Sequence, residues 1–359
     1  MNSYVCIENA GEVCLSAIRL VGATDKRNGR FIGQFGSGMK YAIAAALRDG
    51  IGVTIMSGKK RIQFGTKDVP LNRETTKAVT MKVGKFGRTE VRDWSLSLGE
   101  NDWKDKPEQG VTLAYMILRE FVSNAIDEGS YHMMATDHVH GESGKTRVFL
   151  PRTQGIQDVL DFMPLYFLQS GCSTPLFDGP GGRIGRATDQ GRIYCKGIFV
   201  RTPPKPTLYD YDFDDLQLTE SRTVDPYFLQ ERIGKLLAKA PANILADALS
   251  RMHDGDSWFE DSIASYQWGA FDRVTVNEAR VAVAGEGSVI CHRRSVAEYG
   301  KTPTIRVPDG LYEELQTRAP DIVADHEPKT KTCPTCCGSG KVEQYMHKGP
   351  DIEAGDIPF

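Results

Sequence analysis

Apolar positions along this chain follow two rhythms. Over residues 111–129, VTLAYMILREFVSNAIDEG, they recur every three to four positions, which predicts an amphipathic helix. Over residues 31–49, FIGQFGSGMKYAIAAALRD, a glycine-rich turn runs into an alanine-rich apolar stretch that predicts a buried helix. Residues 13–21 also carry helical spacing, through Val13, Ala17, Ile18 and Val21. Short apolar runs predict strands at 4–7, 52–56, 61–64, 79–83 and 146–150, and the middle three suggest a meander. The charged stretch 94–106 predicts a loop, and residues 172–189 are rich in glycine and turn formers, with DGPGGRIGR as a surface loop.

The second half continues in the same manner. Residues 157–168 form one apolar helical stretch. RIYCKGIFV, 192–200, is a strand–turn–strand, and 209–215 alternates aromatic and acidic residues, as an edge strand with one polar face would. Residues 228–252 are helical with a break at Pro241. The pattern over 274–289 fits a strand or a helix; 304–318 predicts a strand followed by a helix; 320–332 is a polar linker.

Composition adds bounds. The 359 residues suffice for two domains and a small appendage, and the charged and apolar fractions are those of a globular protein. No run approaches the roughly 20 apolar residues that span a bilayer. The first residues, MNSYVCIENAG, lack a basic flank followed by an apolar run, so the expectation is a cytoplasmic protein with reduced thiols. A net charge of −3 gives no general attraction to nucleic acid or anionic membrane, though a local basic patch is compatible with it.

Two stretches carry candidate chemistry. Gly33, Gly36 and Gly38 let the backbone approach a ligand, the helix start that follows presents amides, and Lys40 adds a cation, which together suit a phosphate. The spacing is neither that of a P-loop nor a dinucleotide fingerprint, and a tight turn before a core helix would use the same glycines. On the second helix, Glu120, Asn124 and Asp127 stand at i, i+4 and i+7, on one face of an otherwise apolar surface. A solvated polar stripe is the plainer reading of that face. His132, His138 and His140 lie in a polar stretch that suits a solvated loop better than a metal site.

Taken together, the stretches resemble the GHKL (Bergerat-fold) ATPases, a superfamily that includes gyrase B subunits, MutL, the ninety-kilodalton heat-shock chaperones, histidine kinases and the MORC proteins. E-x-x-x-N-A-x-D at Glu120, Asn124 and Asp127 resembles the N-box; Gly33-Gln34-Phe35-Gly36-Ser37-Gly38-Met39-Lys40 resembles the second glycine box; Ile7-Glu8-Asn9-Ala10-Gly11 is similar to a degraded first glycine box. Residues 22–26, ending at Lys26, take the place of the lid. Both glycine boxes precede the N-box here, opposite to the family's order, which implies a circular permutation joined through the strand-rich stretch 51–91.

The resemblance implies a fold and roles. The fold is α/β: a permuted Bergerat-type sandwich over 1–190 with helices on one face of a mixed sheet, a second α+β transducer-like domain over 191–320, and a linker and Cys-containing tail over 321–359. Glu120 would be the general base and Asn124 the Mg²⁺ ligand. Amides around Gly36 and Gly38, with Lys40, would hold the phosphates of ATP. Glu8 would replace the family's adenine-binding aspartate. A second-domain cation, Lys196 or Arg222, would reach the γ-phosphate. The implied activity is Mg-dependent ATP hydrolysis driving a conformational change, with dimerisation on ATP as in many members; the alternative is a non-catalytic nucleotide-sensing adaptor. In the tail, Cys333-Pro334-Thr335-Cys336-Cys337-Gly338-Ser339-Gly340 resembles one zinc knuckle of DnaJ-type chaperones, which makes Cys333, Cys336 and Cys337 candidate Zn²⁺ ligands.

Overall fold

A computed structural model of the protein describes residues 3–15, 18, 37–71, 74–85, 88–97, 103–129, 131–168, 174–187, 190–219, 222–255, 257–294 and 302–324. The first half forms a seven-stranded sheet from β1 (Tyr4–Ala10), β2 (Thr54–Ser57), β3 (Lys60–Leu71), β4 (Glu74–Lys85), β5 (Arg88–Ser97), β6 (His132–Thr136) and β7 (Lys145–Pro151). Its order is β5-β4-β3-β2-β7-β1-β6. Every pairing in it is antiparallel, where a mixed sheet was expected. The stretch expected to be a loop at 94–106 begins inside β5.

Among the described residues, the helices α1 (Gly38–Arg48) and α2 (Leu113–Asp127) pack on one face of this sheet. Period-two alternation sends Val5, Ile7, Ile55, Ile62, Met81, Val148 and Leu150 into the core beneath them. Ala42, Ala44, Ala45 and Ala46 of α1 are all fully buried, because a helix of alanines can approach both the sheet and α2 closely. Thr112 caps α2 by accepting from the Tyr115 amide at 3.1 Å. The opposite, outer face of the sheet is only partly covered: Cys6, Met56 and Phe149 form a small cluster there with Val139 packed against it.

After β7 the apolar stretch predicted as one helix is two, α3 (Gln154–Asp161) and α4 (Met163–Tyr166), with Pro164 in the first turn of the second. The glycine-rich stretch that follows is not simply a loop. Its β8 (Phe177–Gly179) and β9 (Gly182–Arg186) form a hairpin. With β10 (Ile193–Cys195), β11 (Ile198–Arg201) and β12 (Tyr209–Phe213) they make a five-stranded sheet, order β11-β10-β12-β9-β8. The second sheet therefore starts before residue 191, the expected domain limit. The β10–β11 turn is Lys196-Gly197, both with positive φ (53° and 76°), the hairpin geometry that an x-Gly pair favours.

The Tyr209–Phe213 strand is central, not an edge: β10 runs parallel on one side and β9 antiparallel on the other. Its acidic positions do not face solvent. Asp210 accepts the Arg192 amide at 2.8 Å and Asp212 the Gly197 amide at 2.7 Å, so the carboxylates hold neighbouring backbone. Behind this sheet lie α5 (Pro226–Leu237), α6 (Ala242–His253), α7 (Arg273–Ala284), α8 (Asp309–Arg318) and a two-stranded parallel pair, β13 (Val289–His292) and β14 (Thr304–Val307). They share one apolar core with the inner side of the second sheet.

The β10–β11 hairpin belongs to both halves. Ile193, Cys195 and Val200 face the second core, while Tyr194, Ile198 and Phe199 face α2 and the first. Tyr115 of α2 stacks on Tyr166 at 4.5 Å between ring centroids and its hydroxyl donates to the Phe199 carbonyl. Thus α2 is held between the first sheet and this hairpin. Among the described residues no helix is long and apolar enough to cross a membrane.

Candidate functional site

The helix α2 carries the polar face expected of it, and the structure shows what meets that face. Glu120 is 2 % exposed. One carboxylate oxygen accepts from Arg119 Nε at 3.0 Å; the other accepts from an Arg222 guanidinium nitrogen at 3.2 Å, across 102 residues of chain. Burial alone pushes the Glu120 carboxyl up, but Arg222 and Arg119 outweigh it and hold the group below the ordinary glutamate range. Asn124 donates its amide nitrogen to the Glu120 carbonyl at 2.7 Å, which leaves the carboxamide oxygen as its acceptor. Asp127, further along, lies in the field of the same Arg222.

The start of α1 meets this carboxylate directly. A Cβ built on Gly38 would stand 2.1 Å from Glu120 Oε2 and 2.9 Å from its Cδ. No side chain fits there, so glycine is demanded by contact rather than by φ. Ser37, at the helix start, is fully buried and makes no side-chain capping bond to the first turn. Met39 packs half-buried on the core. Lys40 is 2 % exposed, and burial pushes its ammonium down to about 8.

Arg222 reaches Glu120 from a turn with φ of 61°, a left-handed conformation that costs an arginine about 1–2 kcal/mol. The turn is closed by hydrogen bonds between Thr219 and Thr223 and by the Arg222 amide on the Thr219 carbonyl. Of the two cations that the sequence suggests for this role, Arg222 is the one the structure brings to the Glu120 carboxylate; Lys196 occupies the hairpin turn. Arg119 was not foreseen. Its guanidinium stands 5.8 Å from the Trp103 ring centroid and 5.7 Å from that of Tyr115, and one terminal nitrogen is buried without a hydrogen-bond partner. The available signal was a cation inside the apolar run MILREFV.

Glu8 must be corrected. The expected polar turn does not begin at Glu8 after a short strand, because β1 continues through Ala10. Glu8 then shares the outer face with Cys6 and pairs in register with Arg147, away from α1 and α2. It accepts from Arg147 Nε at 2.6 Å and lies 3.0 Å from Lys145 Nζ; these cations overcome the effect of burial and hold its carboxyl below the ordinary range. Asn9, one residue on, takes the helix side with Val5 and Ile7 by alternation. Gly11, with φ of 84°, turns the chain and donates to the Gly144 carbonyl at 2.8 Å.

Lys26, Gly33, Gln34, Phe35 and Gly36 lie outside the described residues, as do Cys333, Cys336 and Cys337. Among the described residues no group of three or more histidine, cysteine or acidic side chains is placed to hold a metal. No protein-family model, curated protein or solved structure matches the chain.

Proposed function

We propose that this protein binds and hydrolyses Mg-ATP as a permuted GHKL-type ATPase, with a Bergerat-type sandwich followed by a transducer-like domain. One observation carries the reading: the glycine-box helix start and the N-box carboxylate, distant in sequence, touch at Gly38 and Glu120. Two helices on one face of an antiparallel sheet are compatible with such a sandwich.

The residues present fit an anionic ligand. Among the described residues the buried groups around the contact are cationic in excess: Arg119 and Arg222 face the buried carboxylate of Glu120, Lys40 is buried in the neighbouring helix α1, and one Arg119 nitrogen is buried without a hydrogen-bond partner. A triphosphate would offset that surplus. Mg-ATP supplies the phosphoanhydride and the metal that spreads its charge. Asn124 would offer its carboxamide oxygen to the metal, and Lys40 with the amides leading into α1 would hold phosphate oxygens. Glu120, kept ionised by its arginines, would accept a hydrogen bond from the attacking water and orient it. With Glu8 on the outer face, Asn9 is the β1 side chain suited to contact the base.

Phosphate release from purified protein with Mg-ATP tests this against Glu120→Gln. The expected result is slow turnover in the parent and at least a 100-fold loss in the variant, with binding of a non-hydrolysable analogue retained. Equal turnover in both refutes the assignment of Glu120. A second reading, a nucleotide sensor without hydrolysis, is favoured by the two arginines that weaken Glu120 as a base; it predicts tight analogue binding and no turnover in either protein.

A further inference from the structure

Charge is distributed unevenly along this chain. Residues 59–92 hold ten lysines and arginines against three acidic residues, in a protein whose formal net charge is −3. The remaining chain therefore carries 34 basic and 44 acidic residues. The basic segment is not a tail. It is folded into β3 and β4, each of 12 residues, with β5 beside them. At about 3.3 Å per residue these strands are roughly 40 Å long. Ile62, Phe64, Val79, Met81 and Val83 bind one face of this ribbon to the core under α1 and α2.

Alternation sorts the charges between faces. On the face turned away from the helices stand Arg61, Gln63 and Lys67 of β3 and Lys82 of β4, with Lys59 in the turn before β3; all five are exposed. Gln63 and Lys82 are directly opposed, and Arg61 is diagonal to Lys82. Arg61 and Lys67 are about 20 Å apart along the strand. Asp68 falls on the other face, 3.1 Å from Lys77, and Glu90 falls there too, opposite Val83. Among the described side chains of β3 and β4 on this face only Glu74, at the far end, is acidic; in β5, Asp93 pairs in register with Thr80. On the outer face of the pair Arg61, Lys67 and Lys82 stand against Glu74, whereas Lys60 and Lys77 share the other face with Asp68.

We propose that the outer face of β3 and β4 binds the phosphate backbone of duplex DNA without reading its sequence. A row of cations some 20 Å long on β3, with Lys82 about 5 Å to its side on β4, suits a rod carrying one charge per roughly 1.7 Å. The described outer face of these two strands has no aromatic side chain, so it lacks the stacking platform that single strands use. The acidic remainder of the protein would repel DNA elsewhere and leave this ribbon as the point of approach. The inference does not rest on the ATPase reading, since the ribbon and the Glu120 site share no residue.

The test is fluorescence anisotropy of a labelled 24-base-pair DNA duplex with the full-length protein, without nucleotide, from 50 to 200 mM KCl. About four phosphate contacts predict a log–log salt slope near −3.6, a roughly 100-fold loss of affinity over that range. The variant K59A/R61A/K67A/K82A should bind at least tenfold more weakly at 50 mM and with a slope near zero, while its melting temperature stays that of the parent. Lys82→Glu alone should move both readouts the same way. The proposal is overturned if the quadruple variant binds DNA as the parent does, if the parent shows no binding at 50 mM, or if it prefers an RNA duplex, phosphatidylserine vesicles or polyglutamate at equal salt.

Discussion

Replacing Gly38 with alanine puts the contact on which the functional reading rests under direct stress. The added methyl would lie 2.1 Å from Glu120 Oε2, 2.9 Å from Cδ and 3.5 Å from Cγ. The carboxylate cannot swing away freely, because it is buried and held by Arg119 and Arg222. Overpacking of this kind costs about 1–3 kcal/mol, and loosening a charged hydrogen bond about 1.5–3 kcal/mol more. Alanine's helical advantage over glycine returns about 0.5–1 kcal/mol. The lower bounds leave a net destabilisation of about 2 kcal/mol. For a unit of 150–250 residues that is a fall in melting temperature of about 4–8 °C. Differential scanning fluorimetry reads it, and a double-mutant cycle assigns it. In a Glu120→Ala background the methyl has room, so Gly38→Ala should become neutral or slightly stabilising, a coupling of about 2 kcal/mol. A Gly38→Ala protein as stable as the parent, or one equally destabilised with and without the Glu120 carboxylate, refutes the contact.

Two further outcomes follow from other buried groups. Arg222→Met removes one of the two guanidiniums on Glu120 and should cost about 3 kcal/mol. Because Glu120 is held below its ordinary range, its pairing stabilises the fold above about pH 4.5 and is lost as pH falls; the variant should begin acid unfolding at a higher pH, seen by circular dichroism, and an unchanged acid limb argues against the pair. In the second core, Glu260 accepts from the Leu208 amide and the Tyr211 hydroxyl, and burial raises its carboxyl to about 7. A folded-state value above the unfolded 4.5 means stability declines as pH rises between the two, by about 3 kcal/mol. Glu260→Gln should flatten that slope in melting curves taken from pH 5 to 7.5.

Much of the architecture is local information, and the sequence alone determined it. The period of residues 111–129 forces an amphipathic helix, the alanine run after Gly38 forces a closely packed one, and the Lys196-Gly197 pair forces a hairpin. Each follows from how a few adjacent side chains meet backbone geometry. What the pattern did not decide was which side of an element faces what. Glu8 lies near the end of a strand that could stop or continue; three more paired residues turn it to the outer face, and period-two geometry leaves no intermediate choice. Residues 209–213 alternate like an edge strand, yet both neighbouring positions are filled and their aspartates bond to backbone amides. The meeting of Gly38, Glu120 and Arg222 is tertiary altogether. Their contacts depend on how a helix, a glycine turn and a left-handed loop from the second half are packed, and no local periodicity encodes a distance between segments so far apart in the chain.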